Sequence, residues 1–118
     1  VKTLTLTLKK KSMPVEIDGT AYTLEELSGI ERDTYMEDMG ARIQLDANGK
    51  PMASSKLAGM QSFLVSMSLR SPDGTRVSQN IVNDWPASTV QALYDAAQDI
   101  SSLRPQGADE GNDSQASG

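Results

Sequence analysis

A chain of 118 residues fits one domain and is long enough to bury a core without disulfide or metal staples. It contains no Cys and no His, which excludes disulfides, thiolate chemistry, Cys/His zinc sites and every mechanism that uses imidazole as a base. The net charge of −5, with one short basic run at Lys9-Lys10-Lys11, argues against nucleic acid, because such a partner needs a cationic face that displaces counterions.

The apolar share of 37% lies below the roughly 45–50% of ordinary globular chains, and aromatics make up only 4%. A modest core of Leu, Ile, Val and Met follows, adaptable because the six Met pack loosely. No apolar run approaches the roughly 18–20 residues that span a membrane, and no export signal opens the chain, so the expected address is the cytoplasm.

Thr3-Leu4-Thr5-Leu6-Thr7-Leu8 alternates with period two and predicts a half-buried strand with three leucines on one face. Pro14-Val15-Glu16-Ile17 and Thr20-Ala21-Tyr22-Thr23 flank Asp18-Gly19, a strong two-residue hairpin signal, with Pro14 at a strand start or edge. The N-terminal quarter is therefore expected to be an antiparallel sheet of two or three strands. Helical spacing follows, with two capping-box patterns, Thr23-x-x-Glu26 and Ser28-x-x-Glu31. The second leads into a helix to about Ile43 with Met36, Met39 and Ile43 on one face and an acidic solvated side.

Asp46-Ala47-Asn48-Gly49-Lys50-Pro51 reads as a turn. It resembles the start of a calcium loop, but Pro51 stands where that loop needs glycine and Leu57 where it needs a bidentate glutamate. A second helix is predicted over residues 55–69, with Leu57, Met60, Phe63, Leu64 and Met67 at spacings of three and four. Ser71-Pro72-Asp73-Gly74 ends it, and Ile81-Val82 form a short helical turn before Trp85-Pro86. A final helix to about Leu103 carries Val90, Leu93, Tyr94, Ala97 and Ile100 on one stripe, with Asp84 and Ser88 both qualifying as its N-cap. From Arg104 the chain has no large apolar residue and is expected to be a disordered acidic tail.

The fold class is thus α+β: a small N-terminal antiparallel sheet followed by a bundle of three or more helices. Residues 1–103 form one domain, sheet region 1–24 and helical region 25–103, with 104–118 as the tail. No catalytic, metal or cofactor constellation emerges, and the paired acids Asp84 with Asp95 or Glu31 with Glu37 have routine cap or surface roles. The residues with two readings are Met36, Met39, Met60, Met67 and Trp85. Each is either ordinary core or part of a pliable protein-binding face.

Taken in order, these elements resemble a known family. Val15-Glu16-Ile17-Asp18-Gly19-Thr20-Ala21-Tyr22-Thr23-Leu24-Glu25-Glu26-Leu27-Ser28-Gly29-Ile30-Glu31-Arg32-Asp33 is similar to the opening of tail assembly chaperones of long-tailed bacteriophages. There a hairpin ending in a Tyr-Thr-Leu-like strand feeds an E-L-[ST]-G-x-x-R-D helix start. Ser71-Pro72-Asp73-Gly74-Thr75-Arg76-Val77-Ser78 and Trp85-Pro86-Ala87-Ser88-x-x-Gln91-Ala92-Leu93-Tyr94 follow the same layout.

The resemblance implies a non-enzymatic protein that forms rings or spirals, coats the phage tape-measure protein in the host bacterial cytoplasm and is absent from the virion. It also implies a longer frameshifted form that recruits the tail-tube protein, this chain being the short form. Two other classes stay open on the residues alone: a structural tail component, and a small acidic adaptor or antitoxin-like regulator.

Overall fold

The computed structural model describes residues 2–52 and 57–103. Strand β1 (Ser12–Ile17) and strand β2 (Thr20–Glu25) form an antiparallel hairpin with Val15 opposite Tyr22 and Ile17 opposite Thr20. Asp18 and Gly19 turn the chain with φ of 49° and 80°, the left-handed pair that matches strand twist in a two-residue loop. Alternation puts Val15, Ile17, Tyr22 and Leu24 on the core side, and Pro14 lies on an edge strand where its missing N–H is tolerated.

The expected strand over residues 3–8 is absent. Residues 2–10 run as an irregular arm, with Leu4, Leu6 and Leu8 at relative exposures of 81, 79 and 105%. A period-two pattern makes a strand only where it meets a pairing edge, and the free edge of the hairpin, on β1, is interrupted by Pro14, which has no N–H to donate. The third strand is instead β3 (Leu69–Arg70), which pairs with β2 through Leu24 opposite Leu69 and Thr23 opposite Arg70.

Helix α1 (Gly29–Arg42) starts at the second of the two candidate capping boxes. Ser28 Oγ accepts from the Glu31 N–H at 3.2 Å, and Glu31 Oε1 accepts from the Ser28 N–H at 2.8 Å. Its inward face is set by Tyr35, fully buried, rather than by Met36, which is half exposed. The stripe therefore sits one residue earlier than expected, because Tyr35 brings both a large ring against Phe63 and a hydroxyl that meets Tyr94 at 3.2 Å. Burial first, and then that hydrogen bond, push the Tyr35 phenol well above its usual value.

Helix α2 (Met60–Ser68) is the central element, packed against α1, α3 and α4, and buried at Ser62, Leu64, Val65, Met67 and Ser68. It begins later than residue 55. Leu57 is half exposed and outside the helix, Gly59 takes φ of 84° as the cap, and residues 55 and 56 lie outside the described residues. Helix α3 (Gln79–Asn83) confirms the short turn at Ile81-Val82, with Ser78 Oγ as its cap.

Helix α4 (Ala87–Ile100) buries Val90, Leu93, Tyr94 and Ala97, as its stripe requires. Neither Asp84 nor Ser88 caps it. Asp84 still belongs to the end of α3, and extended Pro86 occupies the cap position with no side-chain hydrogen bond. At the far end Ser101 Oγ accepts from the Leu27 N–H at 2.9 Å, tying the end of α4 to the loop before α1. Among the described residues the fold is thus α+β, a three-stranded antiparallel sheet and four helices, and the tail expected from Arg104 lies outside them.

Candidate functional site

Trp85 follows α3 directly, its N–H donating to the Val82 carbonyl at 3.0 Å, and Pro86 then turns the chain into α4. This elbow holds the indole against Tyr22 of β2, edge to face, with ring centroids 6.0 Å apart and planes at 78°. One part of the ring thereby packs on the core. The rest forms a wall shared by two surface depressions.

The larger depression is a groove of about 520 Å³ between the start of α2 and the α3–α4 elbow. Leu57, Met60, Val82, Trp85, Ala87 and Val90 give it an apolar lining, and Gln61, Ser62, Asn83 and Gln91 supply polar groups. The smaller one, about 320 Å³, lies between the hairpin turn (Ile17, Asp18, Thr20, Tyr22) and Trp85, Pro86 and Thr89. The indole thus separates an apolar groove from a smaller hollow of mixed polar and apolar lining.

Hydrogen bonds fix the groove's walls. The Ser62 hydroxyl donates to Asn83 Oδ1, linking α2 to α3, and Gln79 Nε2 donates to the Gly59 carbonyl at 3.1 Å. Gln61 Nε2 donates to Gln91 Oε1 at 2.9 Å, and Gln91 Nε2 to Asp95 Oδ1 at 3.0 Å, so α2 and α4 are laced across the open side. Arg42 joins α1 to the approach of α2: its Nε donates to Asp38 Oδ2 and its Nη1 to the Ala58 carbonyl, both at 2.6 Å.

The five candidate residues part company here. Trp85 and Met60 come together in the groove, whereas Met67 is buried in the core and Met39 packs partly against it. Met36 stands on α1 among solvated residues, outside the groove. Sequence reasoning missed Val82, Ala87 and Val90 as groove residues. Each satisfies a helix stripe or start, and only the Trp85-Pro86 elbow brings them to one place.

Away from the groove, Glu31 is the main electrostatic junction. Besides capping α1 it pairs with Lys10 at 3.5 Å and with Arg76, so it joins arm, helix and the turn after β3. Partial burial works to raise its pKa, but the Ser28 hydrogen bonds and the Lys10 and Arg76 charges outweigh that and hold the carboxyl below its ordinary value. Asp73, accepting from Ser71 and Thr75 in an exposed turn, is held down at about 2. These are structural roles. Among the described residues no group of three or more His, Cys, Asp or Glu could hold a metal, and no helix is long and apolar enough to cross a membrane.

Comparison with known proteins bears on what this arrangement serves. No curated protein sequence matches the chain. A solved structure described as bacteriophage HK97 tail assembly chaperone shares its fold, with a TM-score of 0.53 and 17% identity over 77% of this chain and 85% of that one. The family described as "Bacteriophage lambda tail assembly chaperone, TAC, protein G" matches residues 8–118, nearly the whole sequence. The chain therefore belongs to the bacteriophage lambda tail assembly chaperone family.

Proposed function

We propose that the chain self-associates and holds the phage tape-measure protein while the tail tube is built around it, leaving before the particle is complete. Membership of the tail assembly chaperone family over residues 8–118 is the observation that carries this reading. The groove adds a physical reason. A wall of Met60 and Trp85 offers apolar contact that can repack around different side chains, which suits a client held and then released.

The role is one of binding without catalysis, performed in the host bacterial cytoplasm. A longer form, made by frameshifting near the end of the gene, recruits the tail-tube protein through its extension. An acidic body keeps the complex with an apolar client soluble.

Co-expression with the tape-measure protein of the same phage tests this directly. The tape-measure protein is expected in the soluble fraction, co-purifying with the chain, and the chain alone is expected to sediment as an oligomer. A tape-measure protein equally insoluble with and without the chain would refute the client. A chain that stays monomeric at high concentration would refute self-association.

A further inference from the structure

The arm of residues 2–10 carries an amphipathic pattern with nothing beneath it. Leu4, Leu6 and Leu8 point into solvent at alternate positions, a patch that monomers normally cover. The chain's own sheet offers them only the outer edge of β1, which Pro14 interrupts. The bond from the Glu26 N–H to the Lys11 carbonyl sets the phase of the ladder, so Ser12, Pro14 and Glu16 turn their backbone groups outward on β1. Pro14 has no N–H to give at the middle of that edge. On the other side the Leu69 carbonyl accepts from the Val77 N–H at 3.2 Å, and Arg70 bridges to Arg76.

We propose that residues 3–8 of one copy dock in the Trp85 groove of a second copy. Charge favours a second copy of this chain as the partner. Residues 2–11 hold four lysines and no acid, so the net charge of −5 divides into +4 on the arm and −9 on the rest. Asp84, exposed between the groove residues Asn83 and Trp85, places one carboxylate beside the acceptor. The leucines of an extended arm stand about 7 Å apart on one face, suited to an elongated apolar groove.

Reach keeps Leu8 from the chain's own groove, and Leu4 and Leu6 stand exposed rather than folded back on it. Lys11 is fixed against Glu26, and Leu8 lies three residues before it, within about 10 Å. Tyr22, which holds Trp85, lies opposite Val15, about 13 Å further along β1 in the other direction. Donor and acceptor are thus different surfaces, and repeated head-to-tail docking closes a ring or runs on as a spiral. The inference rests on the self-association proposed above and supplies its contact.

A cysteine-free chain allows a clean test. Leu6→Cys and Ala87→Cys single variants, mixed under mild oxidation, are expected to give a mixed covalent dimer in excess of either variant's dimer with itself. The triple variant Leu4→Ser/Leu6→Ser/Leu8→Ser is expected to keep the wild-type melting temperature and to associate on the order of a hundredfold more weakly by sedimentation.

A triple variant that sediments like an oligomeric wild type overturns the arm and leaves self-association standing. So does a triple variant that keeps its oligomer but loses the tape-measure protein, which makes the arm a client contact. A monomeric wild type overturns both readings. A disulfide formed within one Leu6→Cys/Ala87→Cys chain shows the arm on its own groove, and also overturns the proposal.

Discussion

Trp85→Ala separates the two duties of the indole. Removing a fully buried large aromatic costs about 3–5 kcal/mol. Trp85 is only partly buried, with its outer part facing both depressions, so the lower end applies, about 3 kcal/mol. Of that, about 1 kcal/mol is the edge-to-face contact with Tyr22. For a domain of this size each kcal/mol moves the melting temperature by about 4–8 °C, so a fall of about 12–24 °C is expected. Thermal and urea unfolding followed by far-ultraviolet circular dichroism measure it, with Trp85→Phe as the control that keeps an edge for Tyr22 and should lose less than half as much. A melting temperature within about 2 °C of wild type would refute the argument that the ring anchors the elbow to the sheet. If such a variant also failed to self-associate, Trp85 would be a subunit contact and not part of the core.

Glu31→Gln tests the junction at the start of α1. The carboxyl has a lower pKa folded than its reference value of 4.5, so protons favour the unfolded chain. Its contribution is complete above that value and is lost as pH falls through the folded pKa. Melting temperatures between about pH 7 and pH 3 should therefore fall less steeply for Glu31→Gln than for wild type, and parallel profiles would contradict this. Gln also keeps the capping-box hydrogen bond to the Ser28 N–H, so the difference reports the charge pairs with Lys10 and Arg76. Ser68 Oγ is buried without a hydrogen-bond partner at the end of α2. Ser68→Ala is expected to match wild type or exceed it by up to about 1 kcal/mol in urea unfolding, and a clear loss would mean the hydroxyl has a partner, such as a bound water.

Much of the architecture is written in local chemistry. Asp18-Gly19 and the Ser28/Glu31 pair each fix a boundary with their own backbone needs, and the structure places the turn and the start of α1 there. The α4 stripe succeeds for the same reason, since five apolar residues at helical spacing admit one inward face. The errors occur where tertiary partners decide. Residues 3–8 carry a valid strand pattern, yet Pro14 interrupts the free edge of β1 and the Val77 return covers that of β3.

Strand β3 is two residues long and continues a helix, so no alternation could announce it. On α1 the choice between Tyr35 and Met36 depends on Phe63 and Tyr94, far away in sequence. Only two of the six apolar groove residues were legible as site residues, for a similar reason. Trp85 and Met60 stand out by residue type, but the groove between them needs the elbow to bring α2, α3 and α4 together.

The direct passage from α2 into β3 governs how that groove can adapt. Ser68 ends the helix and Leu69 opens the strand, with no loop between them to absorb movement. Any axial slide of α2 would drag Leu69 along Leu24, and a one-residue slip turns a strand's inward face outward. Both of those leucines are fully enclosed, so the helix is clamped lengthwise. Whatever enters beside Met60 meets a stiff backbone with compliant side chains. Fit is then reached by rotamers of Met60, because the Trp85 ring is held edge to face against Tyr22 of β2.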